Sequence, residues 1–264
     1  MSAASPPGAP ATARAQVVVI AKEPVPGRVK TRLTPPFSPL QAARLAAAAL
    51  ADTLAAAGRV PAVRHVLALE GTAGAWLPPG FDVVAQLGRG LDERLAAAFA
   101  QAYAWLPVPV VLIGMDTPQV TPGMLEAAIR PLATGTADAV FGPAADGGFW
   151  LLGLRHPDPA LLLGVPMSAA DTGEAQLARL TGAGLRVRHL PTCTDVDDAA
   201  TARAVAVQVP RSRFAAALRP MLAGLEGRDT AEGLAVPERG REREPRALRQ
   251  CYRTGEALPV IRSG

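Results

Sequence analysis

The chain has 264 residues, 49% of them apolar, with a formal net charge of +4, enough for one sizeable core plus appendages. No apolar run reaches membrane-spanning length, and the opening MSAASPPGAPATARAQ lacks the hydrophobic stretch of a secretory leader, so a cytoplasmic chain is expected. The whole positive excess sits in residues 211–264, with 11 Arg against 7 acidic groups; no aromatic platform interleaves with those arginines, so nucleic acid is not an expected partner.

In chain order, residues 1–14 read as a disordered lead-in. AQVVVIA (15–21) is a continuous β-branched run of the kind buried in a parallel sheet. A Pro/Gly/basic loop follows, and then an alanine-rich helix from Pro39 to a stop at Gly58. RHVLALE (64–70) and DVVAQL (82–87) read as strands, LDERLAAAFAQAYAWL as a helix, and VPVVLIG (108–114) as the most hydrophobic strand. Thr121 and Pro122 have the residue types of an N-cap and first helical position. ADAVFGPA and GFWLLGLR flank an acidic Gly turn, a local departure from parallel order. Helix GEAQLARLTGAG, strand LRVRHLP and helix DAATARAVAVQ complete a domain over 15–208. Such alternation predicts a three-layer α/β/α sandwich with a mostly parallel mixed sheet. Residues 209–264 read as a helical stretch, whole or broken at Pro220, and a solvated Arg-rich tail. Cys193 and Cys251 match no zinc or disulfide spacing and read as free thiols. His65, His156 and His189 share no spacing and read as structural.

Ligands in such folds gather outside the carboxyl ends of the strands. After the first strand stands AKEPVPGRVKTRL, which holds Lys22 and Lys30, where every other basic residue of the chain is Arg. Lys22, Arg28, Lys30 and Arg32, in a loop shaped by Pro24, Pro26 and Gly27, repel one another unless an anion joins them. A phosphate chain would, with ammonium groups as point charges and guanidinium groups as forks. A plain solvated loop is the competing reading. Neither G-x-x-x-x-G-K-[ST] nor G-x-G-x-x-G is present.

Asp116, at the tip of GMDTPQVTP, suits a hard divalent cation or an Asx turn. Asp146, before Gly147 and Gly148, suits an acceptor-orienting group or general base or a hairpin turn. Asp195 and Asp197 alternate on an extended stretch and should face one side. Asp197 is also the expected cap of the next helix, which makes Asp195 the better metal candidate.

The order AKEPVPGRVKTRL, LDERL, GMDTPQVTP, GPAADGGFWLLGL, MSAADTGEAQLARL and TDVDD resembles the DUF2064 family, also described as rSAM/selenodomain-associated transferase 1, within the nucleotide-diphospho-sugar transferase (GT-A) superfamily. The likeness runs from about Val17 to Val207. It implies a GT-A, Rossmann-like domain that binds a nucleotide sugar or nucleoside triphosphate with Mg²⁺ or Mn²⁺ and acts on a small-molecule acceptor. Lys22, Gly27, Arg28, Lys30 and Arg32 fall on the phosphate side, Asp116 with Asp195 and Asp197 at the metal, and Asp146 with Gly147 and Gly148 on the acceptor side. Ser168 and Thr172 fall there too, with helix capping as the alternative for Thr172. Glu93 and Arg94 of LDERL receive no chemical role. Glycosyl transfer is the first expectation. A lone Asp116, where many sugar transferases of this fold carry Asp-x-Asp, is also similar to nucleotidylyltransferases such as 2-phospholactate guanylyltransferase. A non-catalytic nucleotide-binding module is the third reading.

Overall fold

A computed structural model of the protein describes residues 14–234, with side chains to Leu225. The expected lead-in before Arg14, the Arg-rich tail beyond 234 and Cys251 lie outside the described residues. The first strand, β1 (Gln16–Lys22), is buried almost throughout, as its run of valines requires. Helix α1 (Pro39–Ala57) starts at a capping box, in which Ser38 accepts from Gln41 N–H and the Gln41 side chain accepts from Ser38 N–H, with Pro39 at a position that has no intrahelical acceptor to lose. Strands β2 (Arg64–Glu70) and β3 (Phe81–Ala85), helix α2 (Leu91–Trp105), strand β4 (Val110–Gly114) and helix α3 (Pro122–Thr134) follow. Thr121 caps α3 by accepting from Met124 N–H, as its residue type predicts. Strands β5 (Ala139–Pro143) and β6 (Phe149–Leu154) form the antiparallel pair around the Asp-Gly-Gly turn. Helix α4 (Thr172–Gly182), strand β7 (Val187–His189), helix α5 (Ala199–Gln208) and helix α6 (Arg213–Leu234) complete the described chain. Pro220 lies inside α6 without dividing it.

The strands form one seven-stranded sheet in the order β3-β2-β1-β4-β6-β5-β7. Only β6 runs antiparallel to its neighbours. One face packs Leu50 and Leu54 of α1 and Leu125 and Ile129 of α3; the other packs Leu95 and Phe99 of α2 and Leu180 of α4. This is the α/β sandwich that the alternation predicts, with a core on each face of the sheet.

A third cluster corrects the expected domain boundary at Gln208. Phe214 and Leu218 of α6 are fully buried against Leu45 and Ala49 of α1 and Val205 of α5. Asp52 of α1 accepts from the backbone N–H groups of Arg213 and Phe214 at 3.1 and 2.9 Å, which caps α6 across the packing interface. The first compact unit accordingly runs on to Leu225. The same cluster includes Leu33, just beyond the basic loop, and Val196, between Asp195 and Asp197.

Candidate active site

Strands β2 and β3 lie to one side of β1, and β4 lies to the other. Loops leaving the carboxyl ends of β1 and β4 therefore diverge and leave a crevice, the place where open α/β sheets bind ligands. A cleft of about 880 Å³ opens there, lined by Lys22, Arg28, Lys30 and Arg32 from the first loop, Asp116 after β4, Asp146 and Gly148 from the hairpin, Ser168 and Thr172 before and at the start of α4, and Asp195 and Asp197 before α5. Five segments distant in sequence thus meet at one site. Gly27 and Gly147 are not on its wall. Gly27, at φ +76°, shapes the turn in which Arg28 N–H donates to Val25 C=O.

The four cations of the first loop are not left to repel one another. Lys22 Nζ lies 3.5 Å from Glu70 at the end of β2, and Glu70 also pairs with Arg94 of α2. Partial burial works against the charge on Glu70, but Lys22 and Arg94 together hold its carboxyl below the ordinary range. Arg32 NH1 is 3.6 Å from Asp197, on a side chain that is 77% exposed. Arg28 has no carboxylate within ion-pair distance among the described residues. Lys22, Arg28 and Arg32 thus stay exposed at the rim.

Lys30 differs. Its side chain is only 9% exposed, and its Nζ lies 2.9 Å from Asp116 Oδ1 and 3.3 Å from Asp197 Oδ1. Burial disfavours the ammonium, yet the two carboxylates outweigh it, and the pKa of Lys30 is raised above its ordinary value. The contact to Asp197 is a hydrogen bond, whereas that to Asp116 is an ion pair out of hydrogen-bond alignment. Backbone geometry fixes this placement: Lys30 takes the left-handed conformation, φ 49°, immediately before the short 3-10 turn Thr31–Leu33. Lys30 therefore lines the cleft with its ammonium already paired to two carboxylates.

Asp195 is half-buried, with its Oδ1 enclosed. Desolvation first, then the charges of Asp116 and Asp146, push its carboxyl up to about 7 against the opposing pull of Lys30. Its Oδ1 has no hydrogen-bond partner, an arrangement that costs free energy unless a cation or proton arrives. The expected cap role of Asp197 is corrected. Asp198 caps α5 in a box with Thr201, which releases Asp197 for Lys30 and Arg32. Among the described residues no three His, Cys, Asp or Glu side chains converge as a ready-made metal site. Asp116 and Asp195, each with a buried oxygen lacking a hydrogen bond, still fit an ion of the Mg²⁺ type, which takes one or two carboxylates and completes its shell with phosphates and water.

Asp146 sits in the hairpin turn between β5 and β6. One carboxylate oxygen accepts from Gly148 N–H at 2.9 Å, and the exposed side chain lies on the cleft wall. Gly147 has φ +90°, and a Cβ there would lie 1.8 Å from Ala170 C=O. Gly173 N–H also donates to Gly147 C=O at 2.7 Å. The turn is thus docked against the loop that carries Ser168, itself at φ 60°. Thr172 is buried, and its hydroxyl accepts from Ala169 N–H, bracing that loop. Trp150 is core, donating to Pro191 C=O. Cys193 is a buried free thiol, pushed up to about 11 by burial and by Asp195.

Three cleft residues receive no role from the sequence: Gln86, Arg89 and Arg94. Gln86 Nε2 donates to Ala21 C=O and Ala68 C=O at 2.7 and 3.0 Å, locking the ends of three strands together. Arg89 stands between Gly88 and Gly90, and a basic residue in a glycine turn directly after a strand was the available signal. Arg94 is visible in LDERL, but its partner Glu70 is contributed by another strand.

The DUF2064 family model, described as an uncharacterized protein conserved in bacteria, matches residues 42–169. A solved structure of a candidate nucleotide-diphospho-sugar transferase from Desulfovibrio desulfuricans G20 is 30% identical, with a TM-score of 0.73, over 79% of this chain and 95% of that one. A 2-phospho-L-lactate guanylyltransferase of Natrialba magadii is 34% identical over 141 residues, 49% of this chain; the chain spans 58% of that relative's length.

Proposed function

The chain belongs to the DUF2064 family and has a nucleotidyl- or nucleotide-sugar-transferase type of fold, and on that premise we propose that it is a metal-dependent glycosyltransferase that moves a sugar from a nucleoside diphosphate to a hydroxyl of a small acceptor. The observation that carries this choice is the separation of charge across the cleft. Basic residues rim the first loop, while Asp116, Asp146 and Asp195 stand close enough to raise the carboxyl of Asp195. With Asp116 and Asp195 given to the ion, the exposed Asp146 on the acceptor side repels an anionic acceptor and suits a neutral hydroxyl that must lose a proton.

In this reading Lys22, Arg28 and Arg32 hold the diphosphate, and the turn at Gly27 presents Arg28 to it. Asp116 and Asp195 would hold Mg²⁺ or Mn²⁺, which neutralises charge on the leaving diphosphate as a Lewis acid. Asp146 accepts the proton of the acceptor hydroxyl as its oxygen bonds to the anomeric carbon and the carbon–phosphate oxygen bond breaks. The Gly148 backbone, on the turn that Gly147 docks, and the braced loop of Ser168 and Thr172 bound the acceptor space.

Nucleotidyl transfer to a phosphorylated acceptor is the second reading. It is favoured by Arg89 and Arg94 on the cleft wall, which could receive an acceptor phosphate, and by the likeness to a guanylyltransferase. A panel of nucleotide sugars and nucleoside triphosphates, each with and without Mn²⁺, separates the two. Metal-dependent thermal stabilisation by a nucleotide sugar, with release of nucleoside diphosphate on turnover, supports glycosyl transfer. Stabilisation by one triphosphate with release of pyrophosphate overturns it in favour of the second.

A further inference from the structure

Lys30 has a geometry that phosphate binding does not account for. The other cations of its loop are exposed at the rim, at 55% for Lys22 and 77% for Arg32. Lys30 is folded inward, held by a left-handed backbone and buried to 9% exposure between Asp116 and Asp197. Those two carboxylates come from separate segments, already tied through the backbone by Val196 N–H donating to Asp116 C=O at 3.0 Å. With Asp195 and Asp146 nearby, this acidic floor has, among the described residues, Lys30 as its one deeply buried cation.

We propose that Lys30 is a positioning residue, a resident cation that clamps Asp116 to Asp197 and competes with the divalent ion for Asp116, instead of a ligand for phosphate. The ammonium offsets carboxylate repulsion in the ligand-free protein, so the site stays assembled before any ion is bound. An arriving ion then takes Asp195 and Asp116 at the expense of the Lys30–Asp116 contact. The inference rests on the metal reading of Asp116 and Asp195 but not on glycosyl transfer, because no donor or acceptor enters it.

The test uses Lys30→Met in the full chain and reads Mn²⁺ binding by electron paramagnetic resonance without nucleotide. GDP and UDP binding in EDTA is read beside it. Loss of a competing charge near 3 Å should tighten Mn²⁺ about tenfold or more, lower the thermal midpoint of the metal-free protein, and leave nucleotide affinity in EDTA unchanged. Lys30→Arg, which keeps a cation, should return both Mn²⁺ affinity and midpoint toward the parent values. Unchanged Mn²⁺ affinity with weakened nucleotide binding in EDTA would overturn the clamp and restore the phosphate role. No Mn²⁺ binding to either protein would overturn the metal reading together with the clamp, whereas equal, measurable binding overturns the clamp alone. Lys30→Gln gives the same readouts if the methionine variant does not fold.

Discussion

Removing the chain after Gln208 tests whether α6 is an appendage or part of the domain. The truncation deletes the fully buried Phe214 and Leu218 and exposes the faces of Leu45, Ala49 and Val205 that they cover. Burial of side chains of this size is worth about 1.5–3 kcal/mol each, so the two together contribute roughly 3–6 kcal/mol before the newly exposed partners are added. A domain of this kind is stable by about 5–15 kcal/mol in total. The truncated protein should therefore unfold at much lower urea or be insoluble. Graded variants separate the parts: Phe214→Ala should cost roughly 3–5 kcal/mol, and Asp52→Ala, which uncaps the helix, about 1 kcal/mol. Equilibrium urea denaturation followed by far-UV circular dichroism measures all three. Because Leu33 and Val196 share this cluster, nucleotide affinity should fall with stability. A truncated protein with the parent midpoint and affinity would refute the reasoning and return the boundary to Gln208.

Gly147→Ala should destabilise by about 2–4 kcal/mol, combining backbone strain of order 1–3 kcal/mol with a clash on Ala170 C=O, a backbone atom that cannot swing away; a thermal scan showing no loss contradicts the docked turn. Asp146→Asn should lower kcat by about 10²–10⁴ while leaving nucleotide-sugar affinity within a few-fold, and an unchanged kcat removes Asp146 as the base. Asp138 is held at about 2, chiefly by hydrogen bonds from the Arg186 side chain and backbone. Its folded pKa is below the unfolded value near ~3.9, so its stabilisation is present above that value and lost as pH falls through about 2. Arg186→Met should flatten the pH dependence of the thermal midpoint between about pH 4 and 2, and an unaltered slope assigns the acid sensitivity elsewhere.

The strands and helices were legible because each rests on a local cause. The β1 valines, the Ser38 and Thr121 caps and the Asp-Gly-Gly turn act within a few residues of themselves. Placement of the cleft was legible too, since alternation predicts the sheet and the sheet predicts where its loops open. The misread features are those settled by partners far along the chain. Nothing in RSRFAAALRPMLAGL says that Asp52, in α1, caps it, and nothing in TDVDD says that Asp198 takes the cap and leaves Asp197 for Lys30.

Charge shows the same division more sharply. In sequence, the first loop is a row of cations beside one carboxylate, Glu23, and such a row calls for an external anion. In space, Glu70, Asp116 and Asp197 answer part of that need from within the protein. What remains for a ligand is the exposed part of that row: Arg28, with no carboxylate in ion-pair distance among the described residues, and the rim groups of Lys22 and Arg32. In the proposed reading, that exposed charge is what meets the donor's diphosphate. It also accounts for the two lysines. One is exposed at the rim beside Glu70, and one is in the floor, where its ammonium pairs with Asp116 and Asp197 at once.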